Sequence, residues 1–494
     1  MKKAILIIGG GMSGLSAGIY GLKAGYEVTI LEKNKHAGGY CTTWRKGDVT
    51  IDSCIHWITG SKNDEIRKLY DEIGVFDKGN IIELPYFVKF EDGDNEIIVH
   101  RDENKFKKEL LKYASDNDKA LIDKLFNIMN GIKSVPVTAT YPEEIMTEEQ
   151  QKESLSKMMP AMMSYMRLTR VSMEDYAKKY ESPVLRNFFT CFMPGKYPLY
   201  YFIGALAKFM NSNADVVDIT SQDFARNAKN KFLSLGGNMI YNTEVDKLEF
   251  YDNKIISVTD KKGNSFRGDF IINTSSLPYF YENLLPEEYH DQAVKDIIYD
   301  HENVDNYTAF YSVFTIDKDY KKEVPHYIIY HLDNGFKCMS STNLSIGFKG
   351  YPFLQNKDGS TTFIALIDQN ETDYYMWKKA KEEGTYLETK QKYADELEQI
   401  LLSKEPDMKG HLKLVDIVSP LTFEKWVNGY HGIFQNNLPL PNKRRPNISN
   451  KAKGIDNLYY GGIWTQSIGG LPVAIISGKF AIDTLIFNEK NNNQ

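Results

Sequence analysis

The stretch Gly9-Gly10-Gly11-Met12-Ser13-Gly14 follows a continuous apolar run, Ala4 to Ile8, and leads into a helical pattern from Ser13 to Ala24 that Gly25 ends. Glycine does a different job at each position here. Gly9 permits a tight turn, Gly11 lets the backbone approach a pyrophosphate, and Gly14 lets helix and strand lie close together. The amides at Met12 and Ser13 open the helix and favour a negative group. Glu32 closes the next strand, Glu27 to Glu32, and Lys33 follows it. A carboxylate there accepts hydrogen bonds from ribose hydroxyls and repels a 2′-phosphate. Strand, glycine turn, helix and acid in one register point to a bound dinucleotide.

A second bend, Gly38-Gly39-Tyr40, comes soon after Glu32. It fits a backbone passing close to a ligand that continues beyond its pyrophosphate, as FAD does and NAD does not. At the far end of the chain, Gly462 and then Gly469-Gly470-Leu471 lead into a helix with Pro472 at its start. The dipole of that helix favours negative charge at its first turn. His56-Trp57 offers an imidazole that can give or take a proton beside a carbon undergoing hydride transfer. A histidine satisfied by backbone is the other reading. Tyr430-His431 is a candidate for the opposite wall of the same cavity. The run Met158-Met159-Pro160-Ala161-Met162-Met163-Ser164-Tyr165-Met166, flanked by Lys157, Arg167 and Arg170, fits core packing, a tunnel for an apolar ligand, or a face resting on a membrane.

The elements that must position these groups are scattered along the chain. A helix from Phe224 to Leu235 stops at Gly236-Gly237, strands follow over Asn238 to Phe250, Ile255 to Val258 and Phe270 to Asn273, and Leu458 to Gly461 is a further strand. Between these pieces, residues 76–215 are rich in helical periodicity. Residues 291–449 offer strands at Tyr307 to Ile316, His326 to Leu332 and Thr362 to Ile367, then a charged helix from Lys378 to Leu402. With 494 residues, 42% hydrophobic and 26% charged, the chain has ordinary globular composition and length for two or three packed units. A formal net charge of -6 leaves no overall basic field for nucleic acid. Four cysteines without a C-x-x-C spacing indicate a reducing, cytoplasmic setting and no zinc site. Met1-Lys2-Lys3 before an apolar run has the outline of a signal peptide, but the glycines at 9, 10, 11, 14 and 18 favour strand, turn and helix. The segment Pro472 to Phe487 carries Gly478, Lys479 and Asp483 and falls short of the ~20 apolar residues a bilayer requires, so no transmembrane helix is expected.

With these residues in view, the chain resembles the glutathione-reductase-like flavoproteins and, more closely, the phytoene desaturase, carotenoid isomerase and retinol saturase family of FAD enzymes. The likeness rests on Gly9 to Gly18, Glu32-Lys33, Gly38-Gly39, Asp52-Ser53-Cys54-Ile55-His56-Trp57, Ser419-Pro420-Leu421-Thr422-Phe423-Glu424, and Tyr460-Gly461-Gly462-Ile463-Trp464 through Gly469-Gly470-Leu471-Pro472. The resemblance implies an α/β fold with a glutathione-reductase-like, FAD-binding Rossmann domain from residues 1–75, 216–290 and 450–494. It implies a substrate domain of mixed antiparallel sheet and helical cap from residues 76–215 and 291–449. FAD would be held by the glycine-rich bends at both ends together with Val245 at the adenine, and His56 would be the catalytic side chain near the flavin ring. The implied activity is desaturation, saturation or isomerisation at carbon-carbon double bonds of a long apolar carotenoid-like, retinoid-like or fatty-acyl substrate, by hydride exchange at flavin N5. Two alternatives stand beside it: an amine-oxidase-type flavoenzyme, which needs an aromatic cage against the flavin, and a non-catalytic lipid or prenyl escort of the dissociation-inhibitor type. The chain departs from the family at Ile219-Thr220-Ser221-Gln222, where relatives often carry Gly-Gly-Ser. It also lacks a second glycine fingerprint, so NAD(P)H or another electron carrier is expected to visit only transiently. Peripheral membrane contact is expected through residues 157–170.

Overall fold

A computed structural model describes residues 2–492 other than 63, 78, 134, 137, 212, 322–325, 339–344, 434–435 and 467–468. Its central layer is a parallel sheet in the spatial order Asn238–Ile240, Glu27–Leu31, Ala4–Ile8, Phe270–Asn273 and Leu458–Tyr460. Parallel strands are covered on both faces, and this is why the first of them reads as an unbroken apolar run. Ile5, Ile7, Val28 and Ile30 turn toward the helices Met12–Lys23, Ser221–Ser234 and Leu471–Asn492. Leu6, Ile8, Leu31 and Ile271 turn the other way, against the antiparallel strands Val245–Tyr251 and Lys254–Asp260 and the helix Leu277–Asn283.

Two expected elements divide. The strand anticipated over Asn238 to Phe250 is two strands in different sheets, separated where Asn242 adopts φ 53°. At that corner the Asn242 and Thr243 amides bond to the Asn34 and Glu32 carbonyls. The helix anticipated from Lys378 to Leu402 is also two, Glu371–Glu382 and Tyr386–Lys404, parted at Gly384 with φ 77°.

The C-terminal helix is long and apolar enough to cross a membrane by length and composition alone, with mean hydropathy 1.4 over Leu471–Asn491. Its packing shows why it is apolar: it is a core helix lying on the first one. Ser16 Oγ donates to the Ile475 carbonyl at 2.7 Å, and Ser13 and Ser477 share a hydroxyl hydrogen bond at 3.1 Å. At Gly478 an added Cβ would stand 2.1 Å from the Ser13 carbonyl oxygen.

The second layer is a seven-stranded sheet in the order Leu412–Val418, Tyr307–Ile316, Thr361–Asn370, Ser345–Gln355, Tyr327–His331, Tyr86–Asp92 and Asn95–His100. All its pairings are antiparallel except that of Tyr327–His331 with Tyr86–Asp92. Phe310, Phe314 and Phe363 pack on the helices Glu371–Glu382 and Tyr386–Lys404. Around Phe87 and Phe90 the sheet meets a helical cap that includes Asp116–Ile132, Pro183–Cys191 and Leu199–Met210.

Candidate cofactor and substrate cavity

A cavity of about 540 Å³ opens at the carboxyl ends of the parallel strands and extends to the large sheet and the cap. Gly9 turns the chain with φ 102° while its amide bonds to the Leu31 carbonyl at 2.9 Å. The Gly38 amide bonds to the Gly10 carbonyl at 2.8 Å, so the second glycine bend is laid on the first. Gly11 has φ -70°, which any residue adopts, and an added Cβ would meet nothing nearer than Gly39 Cα at 3.9 Å. Neither conformation nor protein packing demands glycine at 11. The space its missing side chain leaves belongs to the cavity, and that is the fit expected of a backbone cradle for a pyrophosphate. Gly470, with φ 107°, has nothing among the described residues within 4 Å of an added Cβ.

The buried Glu32 carboxylate accepts from the Gly10 amide and, through its other oxygen, from the Asn34 amide, both at 2.8 Å. Burial pushes its pKa up, against the pull of those two amides. Lys33 Nζ donates to the Lys425 carbonyl at 3.1 Å and to Asn428, and burial lowers its pKa. The Tyr40 hydroxyl donates to the Ile433 carbonyl, and Gly462 donates its amide to Ser477 Oγ at 2.9 Å. With Met12, Ser13, Gly39, Val245 and Leu471, these residues line one continuous wall. Gly14 does not belong to that wall. Its added Cβ would lie 2.0 Å from the Gly9 carbonyl oxygen and 2.8 Å from Thr274 Oγ1, so its place in the motif is the contact between helix and strand.

His56 and Trp57 reach the same cavity. His56 Nε2 donates to the Ser53 carbonyl at 3.2 Å, and Trp57 packs on Phe87 with ring centres 4.8 Å apart. Of the pair Tyr430-His431, only Tyr430 lines the cavity. His431, at φ 47°, turns to Glu371, with Nδ1 2.6 Å from its carboxylate, and stacks on Tyr374. The methionine segment is a further correction to the tunnel reading. None of Met158 to Met166 lines the cavity, and Met159, Met163 and Met166 are exposed, Met163 by 68%. Phe192, Met193, Tyr200 and Tyr201, further along the cap, line the cavity instead. At the departing segment, Thr220 caps the helix Ser221–Ser234. Ser221 holds the buried Asp52 carboxylate through both its amide and its hydroxyl, and its Oγ also accepts from the Ile55 amide at 3.1 Å. The pair Gly236-Gly237 is a helix stop, with the ring of Phe232 filling the space beside Gly237.

Sequence reasoning missed the inner wall. Tyr307, Tyr311, Leu366 and Asp368 line it from neighbouring strands, in a register that pairs Tyr311 with Leu366 and Ala309 with Asp368. Tyr327 and Lys208 add to it. Burial pushes the tyrosine hydroxyls at 307, 311 and 327 upward in pKa, so they stay neutral donors, and it brings Lys208 down to about 8. The one signal in the sequence was Asp368, the single acid of its strand, at alternate spacing from Leu366 and directly after the apolar run Phe363 to Ile367.

Residues 7–73 match the family described as an NAD(P)-binding Rossmann-like domain. Along nearly the whole chain, the sequence is 20% identical to 4,4'-diaponeurosporene oxygenase of Staphylococcus haemolyticus (strain JCSC1435), covering 98% of this chain and 97% of that one. Over 139 residues it is 30% identical to the Homo sapiens all-trans-retinol 13,14-reductase, covering 27% of this chain and 22% of that one. Among solved structures, wild-type putrescine oxidase bound to putrescine aligns with a TM-score of 0.62 at 14% identity, covering 98% of this chain and 99% of that one. Cyclohexylamine oxidase from Brevibacterium oxydans IH-35A aligns with a TM-score of 0.60 at 12% identity, covering 99% and 100%. The chain thus carries an NAD(P)-binding Rossmann-like segment at residues 7–73, is similar in sequence to a diaponeurosporene oxygenase, a retinol reductase and, over a short stretch, a phytoene desaturase, and shares its fold with putrescine and cyclohexylamine oxidases.

Proposed function

We propose that this chain binds FAD between its two glycine bends and the start of its C-terminal helix, and exchanges hydride with a carbon-carbon double bond of a long apolar molecule. Carotenoid-like, retinoid-like and fatty-acyl substrates all suit the wall made by Trp57, Phe192, Leu366 and Phe423. The observation that carries the reading is the open space at Gly11 and Gly470, at opposite ends of the sequence and on one cavity. FAD, when bound, supplies a hydride acceptor or donor at ring N5. The amides at Met12 and Ser13 suit the pyrophosphate and Glu32 suits the ribose. Val245 suits the adenine end. His56, held with Nε2 on the Ser53 carbonyl and reaching the cavity, is the side chain proposed to take or return the substrate proton. The exposed ridge of Met159, Met163 and Met166, beside Arg167 and Arg170, suits a membrane from which such a substrate would enter.

One observation favours a second reading, oxidation of an amine: Asp368 stands among Tyr307, Tyr311 and Tyr327 in the same cavity. An acid among aromatic side chains suits an ammonium group. Anaerobic mixing of the FAD-loaded protein with polyenes, fatty-acyl compounds and diamines, followed by flavin absorbance, separates the two. The first reading expects a substrate-dependent change with an apolar unsaturated compound, slowed ~10²-fold or more in His56→Ala, which should stay yellow. Bleaching by a diamine, lost in Asp368→Asn, would support the second. A protein that carries FAD and responds to neither class would overturn both.

A further inference from the structure

Two of the four cysteines meet at the cavity wall. The hairpin Thr43–Lys46 with Val49–Asp52 pairs Thr43 with Asp52, and Cys41 and Cys54 stand two residues beyond that pair, one on each arm. Beyond the end of the paired strands the two thiols lie within hydrogen-bonding reach of one another, the proximity that a disulfide, with its Cα atoms ~4.4–6.8 Å apart, requires. Both arms are tied to the same serine at this level. The Cys41 thiol donates to the Ser221 carbonyl at 3.1 Å, Ser221 holds Asp52, and the Ile55 amide donates to Ser221 Oγ. Both thiols are free, Cys41 buried and Cys54 partly exposed, and both line the cavity. The Cys54 thiol beside it and its own burial hold the Cys41 proton tightly, so Cys41 is the poorer first nucleophile.

We propose that Cys41 and Cys54 form an oxidative modification site, a dithiol that hydrogen peroxide converts into an intramolecular disulfide in the wall of the cofactor cavity. The more accessible Cys54 sulfur attacks one peroxide oxygen. The O–O bond breaks, the first water leaves, and Cys54 becomes a sulfenic acid. The Cys41 sulfur then attacks Cys54: the S–S bond forms, the S–O bond breaks, and the hydroxyl leaves as a second water with the Cys41 proton. Two thiols are oxidised and one peroxide is reduced to two waters. The bond fastens the Gly38-Gly39-Tyr40 bend to the loop that carries His56, so the oxidised protein holds two parts of the cavity wall at a fixed separation.

The test uses the full chain with whatever cofactor it carries, treated with a few equivalents of hydrogen peroxide, alkylated, and digested with trypsin without reductant. The peptides His36–Arg45 and Gly47–Lys62 should appear joined. Titratable thiols should fall from four to two on denaturation, and dithiothreitol should restore them. Cys41→Ser should leave Cys54 as a sulfenic acid that dimedone traps, whereas Cys54→Ser should leave Cys41 unmodified. Four thiols surviving peroxide would overturn the proposal. So would a Cys54 sulfinic acid with no cross-link in the natural sequence, or a link found only between two chains.

Discussion

At the scale of single residues, the glycines of one motif divide into two kinds, and the division can be tested. Gly14 is required by the protein, since its Cβ would collide with Gly9 and Thr274, whereas the space beside Gly11 is left for a ligand. Gly14→Ala is therefore expected to lower folding stability by about 3 kcal/mol, the cost of overpacking a close contact. Gly11→Ala should unfold within about 0.5 kcal/mol of wild type in urea and yet bind FAD about 10- to 100-fold more weakly. Equal losses of stability in both variants would contradict the division. Lys208 gives a second residue-scale expectation. Burial lowers its folded pKa to about 8, below the unfolded value near 10.4. Its charged form thus destabilises the fold fully below pH 8, and that penalty is relieved as pH rises from 8 toward 10.4. Relative to Lys208→Met, the wild type should gain about 1–3 kcal/mol between pH 7 and pH 10 in denaturant titrations. Parallel stability curves would show that the buried ammonium is not penalised.

At the scale of elements, the sequence was most readable where one local rule decides the structure. Ala4–Ile8, Met12–Lys23 and Tyr307–Ile316 follow from apolar runs, a glycine-rich turn and strand-forming residues. It was least readable where backbone conformation or distant packing decides. Asn242 breaks an apparently continuous strand by entering the left-handed region, a choice asparagine tolerates but does not announce. The methionine segment illustrates the other limit. Its composition fits a core, a tunnel or a surface, and only the arrangement of neighbouring helices leaves Met159 and Met163 in solvent. Because those side chains cover little of the protein, the double variant Met159→Ser with Met163→Ser should keep its thermal midpoint within about 2 °C of wild type. The same variant should sediment less with vesicles of phosphatidylcholine and phosphatidylserine if this ridge meets the membrane. A large fall in midpoint would return the segment to the core.

At the scale of the whole molecule, the parallel sheet joins strands from residues 4–31, 238–273 and 458–460, and the C-terminal helix closes over the first one. This arrangement brings Gly11 and Gly470 to one cavity although most of the chain lies between them. Its outer wall, built from glycine motifs, could be read from sequence. Its inner wall could not, because Asp368 and the tyrosines at 307, 311 and 327 are assembled by strand register across a large sheet. The most direct test is a titration of FAD into cofactor-stripped full-length protein, followed by flavin absorbance after gel filtration. One tightly retained FAD per chain, with the spectrum of an oxidised flavin in a protein site, is the expected result. A colourless protein that elutes free of FAD at micromolar concentrations would contradict FAD binding in this cavity.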